Sequence, residues 1–199
     1  MKSQKQRMLA GDLYRVDPSL DREMNKCFKK LKSINKMTEK DEIARAFRDL
    51  FKNFGKSTII PPFFCDYGSN ISIGDRTFIN YNNSIIDVNQ VIIGNDVLIG
   101  PSCGIYTAGH PIDPLVRSSG LEFGKEIIIE DRVWIGGSSV ILGGVRIGEG
   151  SIIGAGSVVT KNIPKNVIAY GNPCRVIREI NQEDRDYWQK LKDQYDNSL

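Results

Sequence analysis

The 199-residue sequence predicts a mainly β protein, a parallel solenoid with helices at both ends. Three observations carry that expectation. From Ile129 an aliphatic residue returns every six positions, at Ile135, Ile141, Ile147, Ile153 and Val159. Four places after each stands a small or β-branched residue: Val133, Ser139, Val145, Ser151, Ser157 and Ile163. The position directly after the aliphatic one takes Gly136, Gly148 and Gly154. Such a period matches neither the amphipathic helix nor the two-faced strand. It matches a coil with flat sides, one hexapeptide to a side, its aliphatic residue turned to the axis. β-Branched residues suit the flat sides, and glycine suits the corners.

Taken in order, residues 1–58 read as a helical leader. Between Leu9 and Phe54 the period is helical. Leu20, Met24, Cys27, Phe28, Leu31 and Ile34 keep to one face, behind an Asp17-Pro18 N-cap and first-turn proline. Thr38 and Asp41 form a T-x-x-D box that opens a second helix. Its stripe is Ile43, Phe47, Leu50, Phe51 and Phe54, and Gly55 ends it. Such a hairpin cannot bury both apolar faces alone, so it is expected to cover the solenoid or a neighbouring subunit.

The solenoid is expected over residues 59–180. Pro61-Pro62-Phe63-Phe64 blocks helix and leads into the first coil. Ile73, Ile79, Ile85 and Val91 keep the period, as do Ile93, Ile99 and Ile105 with Val97, Cys103 and Gly109 in the small slot. The phase slips by two between Val91 and Ile93. Residues 109–125 contain Pro111, Pro114, Gly120 and Gly124 and no aliphatic period, so they read as a structureless loop thrust out of the coil. After Pro164, the stretch Val167 to Ile180 reads as an exit strand with a turn at Gly171-Asn172-Pro173. Residues 181–199 form a C-terminal helix and tail; the helix runs from Gln182 to Asp196, with Tyr187, Leu191 and Tyr195 on one stripe.

Composition narrows the classes. At 40% hydrophobic the chain can bury one core with short appendages. No apolar run reaches about 18 residues, which excludes a helical membrane span. The opening MKSQKQRMLAGDLYR lacks an apolar core and a cleavage site, which argues for a cytoplasmic chain over a secreted one. Cys27, Cys65, Cys103 and Cys174 stand singly and read as reduced thiols. Cys103 falls on the inward small slot, where packing explains it. A net charge of +3 without interleaved aromatics gives no nucleic-acid signature. Basic residues gather at Lys26 to Lys36 and at Lys161, Lys165, Arg175 and Arg178. A solvated face is the ordinary reading; for the second group an anionic ligand is the sharper one.

His110 is the only histidine, and it stands where the coil is interrupted. Imidazole suits proton transfer near neutrality, and a loop on a rigid scaffold is a common catalytic layout. A structural or surface role is the plain alternative. One histidine also rules out a metal site built from several. No G-x-S-x-G nucleophile is present. The glycines from Gly148 to Gly156 follow the six-residue period and read as corners, not as a phosphate loop. Trp134 precedes an inward Ile135 and so faces outward, as a platform for a ligand or another subunit.

These residues resemble a known family. The six-residue period, Thr107-Ala108-Gly109-His110-Pro111 and the run from Gly154 to Lys161 are similar to the hexapeptide-repeat acyltransferases with a left-handed parallel β-helix. Met8 to Tyr14, Phe63 to Gly68, Arg117 with Gly120 to Lys125, Val133 to Gly136 and Gly171 to Ile177 resemble the maltose/galactoside O-acetyltransferase group. The resemblance runs in order from about residue 7 to residue 180.

That resemblance implies a homotrimer, with acetyl-CoA as co-substrate in a groove between coils and no metal required. It implies direct transfer to a hydroxyl of a small saccharide, with His110 as general base. By position, the Gly137 amide is the oxyanion donor, although glycine lacks the hydroxyl that galactoside enzymes often carry there. Glu122 either orients His110 or is a solvated loop carboxylate. Trp134, Gly137, Ala155, Thr160, Lys161, Arg175 and Arg178 match or adjoin cofactor positions; arginine suits phosphate oxygens. Asp17, Asp66, Asn80 and Asp87 match or lie near acceptor positions. Val88 stands where galactoside enzymes have a second acid, which puts galactoside preference in question. Two other readings compete: acetylation of a hydroxylated drug, as the streptogramin acetyltransferases perform, and a non-catalytic solenoid scaffold.

Overall fold

The computed structural model describes residues 1–198; Leu199, the last residue of the expected C-terminal tail, lies outside the described residues. The leader holds three helices, α1 (Gln4–Leu9), α2 (Pro18–Ile34) and α3 (Lys40–Arg48). The segment between α1 and α2 is not helical, against the continuous helical reading from Leu9. Helix α1 opens on a capping box in which the Ser3 hydroxyl accepts from the Gln6 amide and the Gln6 side chain accepts in return. Asp17 caps α2 as expected, one carboxylate oxygen accepting from the amides of Ser19 and Leu20.

Helix α3 departs from the expectation at both ends. Glu39, not Thr38, is its N-cap, without a side-chain bond. It ends at Arg48 with Asp49 as C-cap, well short of Gly55. Tertiary packing is the reason. Phe47, Phe51, Phe54 and Phe63 gather their rings 5.1–6.0 Å apart over the open end of the coil. To reach that plug, Asn53–Phe54 turn into a strand paired with Ser72 and Ile73. The solenoid therefore begins at Asn53, ahead of the expected boundary at residue 59.

From there the chain winds round three flat faces of parallel strands. The first face stacks Asn53–Phe54, Ile71–Ile73, Val91–Ile93, Ile127–Ile129 and Arg146–Ile147. The second stacks Thr58–Ile59, Phe78–Ile79, Leu98–Ile99, Trp134–Ile135, Ile152–Ile153 and Val167–Tyr170. The third stacks Phe63–Cys65, Asn83–Ile86, Gly104–Tyr106, Val140–Leu142 and Val158–Val159. Register is strict: Ile79, Ile99, Ile135 and Ile153 form one column, and Ile85, Ile105, Ile141 and Val159 another. All the repeat aliphatics and all the small-slot residues except Gly109 are buried. Gly109 is half-exposed and lies outside the coil.

The expected structureless loop has structure of its own. Ala108–Gly109 pairs antiparallel with Phe123–Gly124, and α4 (Pro114–Ser118) lies between. The arm is thus a hairpin with a short helix at its tip. The expected exit strand is a hairpin too: Val167–Tyr170 extends the second face and Arg175–Glu179 returns antiparallel beside it. Helix α5 (Gln182–Asp196) occupies the expected residues, with Tyr187 and Tyr195 exposed. Among the described residues no helix is long and apolar enough to cross a membrane.

Candidate active site

Each hexapeptide corner places its residues at one of three edges of the prism. The arm leaves the third-to-first edge, and there His110 is exposed just beyond the Gly109–Phe123 pair. Asp66, Asp87, Thr160 and Lys161 lie on corners of that same edge. Asn80, Gly137 and Ala155 lie on the second-to-third edge, and Arg175 follows the corner there. One chain therefore does not bring His110 and Gly137 to a common edge. The third face separates them.

At the His110 edge the acids differ in kind. Asp87 is fully buried, and its carboxylate is consumed by the corner. One oxygen accepts from the amides of Asp66 (3.0 Å) and Tyr67 (2.9 Å), and the other from Asn70 (3.4 Å). Burial pushes its pKa up to about 7, with the Asp66 charge adding and these amides opposing. Asp87 thus shapes the corner and does not face solvent. Asp66 is half-buried, its pKa raised by burial and then by Glu122. The Tyr67 hydroxyl is buried without a hydrogen-bond partner among the described residues.

Glu122 is turned to the leader, and among the described residues no hydrogen bond or ion pair joins it to His110. Its carboxylate accepts from the Tyr14 hydroxyl at 2.8 Å, and the backbones of the two residues exchange N–H···O bonds at 2.9 and 3.0 Å. Asp17 spends a carboxylate oxygen on the α2 cap. Neither Tyr14 nor Asn89, which ties the leader to the arm, carried a periodic signal in the sequence.

At the other edge, Gly136 and Ser138 donate their amides to Ile153 and Pro101, while the Gly137 amide has no backbone acceptor among the described residues. Asn80 accepts from the Tyr81 amide through its side-chain oxygen. Trp134 is 52% exposed, in an outward row with Leu98 and Ile152. Arg175 is exposed, its guanidinium hydrogen-bonded only to its neighbour's carbonyl among the described residues; Lys161, back on the His110 edge, is exposed too. Arg178 differs: both its terminal nitrogens bond Asp184. A free amide, an aromatic plate and an exposed arginine at one edge, and an exposed lysine at the other, are groups that suit a thioester with a phosphorylated tail. No group of three or more His, Cys, Asp or Glu is placed to hold a metal among the described residues.

The chain is similar to known proteins over most of its length. Residues 7–55 match the maltose acetyltransferase hexapeptide capping motif, and residues 126–161 match the bacterial transferase hexapeptide (six repeats). Residues 90–112 match the hexapeptide repeat of succinyl-transferase. The chain is 38% identical to the galactoside O-acetyltransferase of Lactococcus lactis, over 84% of this chain and 83% of that one. It is similar to the crystal structure of a maltose O-acetyltransferase from Clostridium difficile, at 42% identity and a TM-score of 0.89, covering 91% of this chain and 99% of that one. A galactoside acetyltransferase in complex with coenzyme A is 35% identical with a TM-score of 0.88, covering 93% of this chain and 94% of that one.

Proposed function

The chain belongs to the hexapeptide-repeat acetyltransferases of the maltose/galactoside group and is an acetyl-CoA-dependent acetyltransferase, and from that premise we propose that it acetylates a hydroxyl of a small saccharide by direct transfer. The observation that carries the mechanism is the exposed His110 imidazole, held on a hairpin arm at the same edge of the coil as Asp66. His110 takes the proton of the acceptor hydroxyl as its oxygen adds to the thioester carbonyl. The Gly137 amide donates to the resulting oxyanion, a contact typically worth about 3 kcal/mol. The tetrahedral adduct then expels the CoA thiolate, which leaves with the proton from His110.

That scheme needs two copies of the chain, because His110 and Gly137 stand on different edges. We propose a homotrimer in which the arm of one protomer reaches the Gly137 edge of the next. Exposed apolar residues support this on both sides. The arm tip carries Ile112 (95% exposed) and Leu115 (80%), and the second face offers Leu98 and Trp134. Lys161 and Arg175 take the phosphates and Trp134 flanks the groove, with Ala155 and Thr160 along the pantetheine arm. Asp66, Asn80 and Asp17 are the acceptor-side candidates.

Steady-state turnover on a panel of saccharides and hydroxylated antibiotics, with calorimetry of CoA binding, tests this reading. His110→Ala is expected to lower turnover by roughly 10²–10⁴-fold while CoA still binds. Retained turnover would remove His110 from the role, and activity confined to the antibiotics would reassign the acceptor.

A further inference from the structure

We propose that Tyr14 is a positioning residue, a latch from the leader that holds the His110 arm through Glu122. This rests on the reading of His110 as the general base. The arm leaves the coil after Tyr106 and returns at Ile127, and most of it between residues 110 and 122 is exposed. Its stem is one short antiparallel pairing, Ala108 with Gly124 and Gly109 with Phe123. Two paired residues are a weak hinge for a group that must meet a hydroxyl within hydrogen-bond reach.

The leader supplies the missing strand. Tyr14 pairs antiparallel with Glu122, next in sequence to Phe123, so the stem becomes three-stranded. Its ring is 1% exposed, packed with Met8, Leu20, Tyr67 and Val88, so the phenol stands on a rigid base. Its hydroxyl donates to the Glu122 carboxylate at 2.8 Å. Burial and the Glu122 charge raise the phenol's pKa, so the hydroxyl keeps its proton and stays a donor. A hydrogen bond to a charged acceptor is among the stronger kinds.

Asn89 completes the anchorage from the coil side. Its side-chain nitrogen donates to the carbonyls of Met8 (3.2 Å), Leu9 (3.4 Å) and Gly124 (3.1 Å), and its amide donates to the Thr107 hydroxyl at 2.9 Å. Leader, coil corner and both ends of the stem therefore meet at one buried residue. The latch differs from Asn89 in reaching past the stem to the arm itself. The leader is thus part of the catalytic geometry, and its removal would free the base as well as uncover apolar surface.

The test is Tyr14→Phe, which keeps the ring in its seat and deletes only the donor. Hydrogen exchange by mass spectrometry reads the arm without reference to activity. Amides from Gly109 to Gly124 are expected to exchange several-fold faster, while those of Val140–Leu142 do not change. Turnover should fall by roughly ten- to a hundredfold with KM for acetyl-CoA unchanged, the cost of a misplaced catalytic group. Glu122→Ala should match it, and the double variant should lose no more than either single change. Glu122→Gln, which keeps an acceptor oxygen, should recover most of what Glu122→Ala loses. Unchanged arm exchange in Tyr14→Phe would overturn the latch whatever turnover does, and so would losses that multiply in the double variant. A chain with no acetyl transfer at all would remove the base role of His110 and leave the exchange result to judge the latch.

Discussion

Arg178 donates to both carboxylate oxygens of Asp184, at 2.5 and 2.8 Å. Asp184 also accepts from the Asn181 amide in the capping box of α5, so the arginine is built into the start of that helix. The family resemblance groups Arg178 with Lys161 and Arg175 as phosphate contacts, but Arg178 is already held by an acid, whereas the other two have no acidic partner among the described residues. We expect Arg178→Ala to weaken CoA binding by less than about threefold in calorimetry. Lys161→Ala and Arg175→Ala should each weaken it by roughly tenfold, the usual scale for a hydrogen bond to a charged group. An equal loss in all three would mean that Asp184 yields its arginine to the ligand.

What the sequence made legible is what repeats. Each inward aliphatic has the same neighbours one coil above and below, so one environment is written many times over. The phase slip at Val91 and Ile93 follows the ladder: Ile93 stacks on Ile73, 20 positions back, two more than the 18 from Ile129 to Ile147, and each three-residue strand of this face buries both of its ends. Ile71 and Ile73, Val91 and Ile93, and Ile127 and Ile129 all point to the axis, so both phases are inward. What was not legible is set by single long-range contacts. Tyr14 and Glu122 are 108 positions apart, and nothing in either neighbourhood announces the other. Phe28 is read from the sequence as part of the α2 stripe, yet it is 67% exposed, because α2 buries only the narrow line of Leu20, Cys27, Leu31 and Ile34. Asp17, Asp66 and Asp87 were alike as letters, but one caps a helix, one is half-open and one is sealed inside a corner.

That sealed carboxylate makes a pH prediction. The folded pKa of Asp87 is raised to about 7, chiefly by burial, from an ordinary value near 4. Between those values the folded state holds a proton that the unfolded chain has released. Stability therefore falls as pH rises through this window, by at most about 4 kcal/mol from this group. Asp87→Asn keeps an oxygen for the amides of Asp66 and Tyr67 and cannot ionise. Urea titrations at pH 5 and pH 8 should show the native chain losing more stability than the variant. Equal pH dependence in the two would mean that Asp87 titrates as an ordinary carboxylate.

The stacking of coils makes the last one. At the second-to-third edge, Gly136 lies directly against the next corner: a methyl group there would meet the Ala155 nitrogen at 2.5 Å and its Cα at 2.8 Å. Both atoms are backbone and are fixed by the ladder that joins Trp134–Ile135 to Ile152–Ile153, so neither can swing aside. At Gly137, one residue on, the same methyl would meet only Pro101, at 3.0 Å or more. Gly136→Ala must therefore spread two coils, and overpacking of this kind costs about 1–3 kcal/mol. Gly137→Ala needs a shift of a few tenths of an ångström and should cost clearly less. Denaturant unfolding of the two variants side by side checks the order. Should Gly137→Ala prove the more damaging, the close approach at this edge would lie at the free amide, and that corner would be the one under strain.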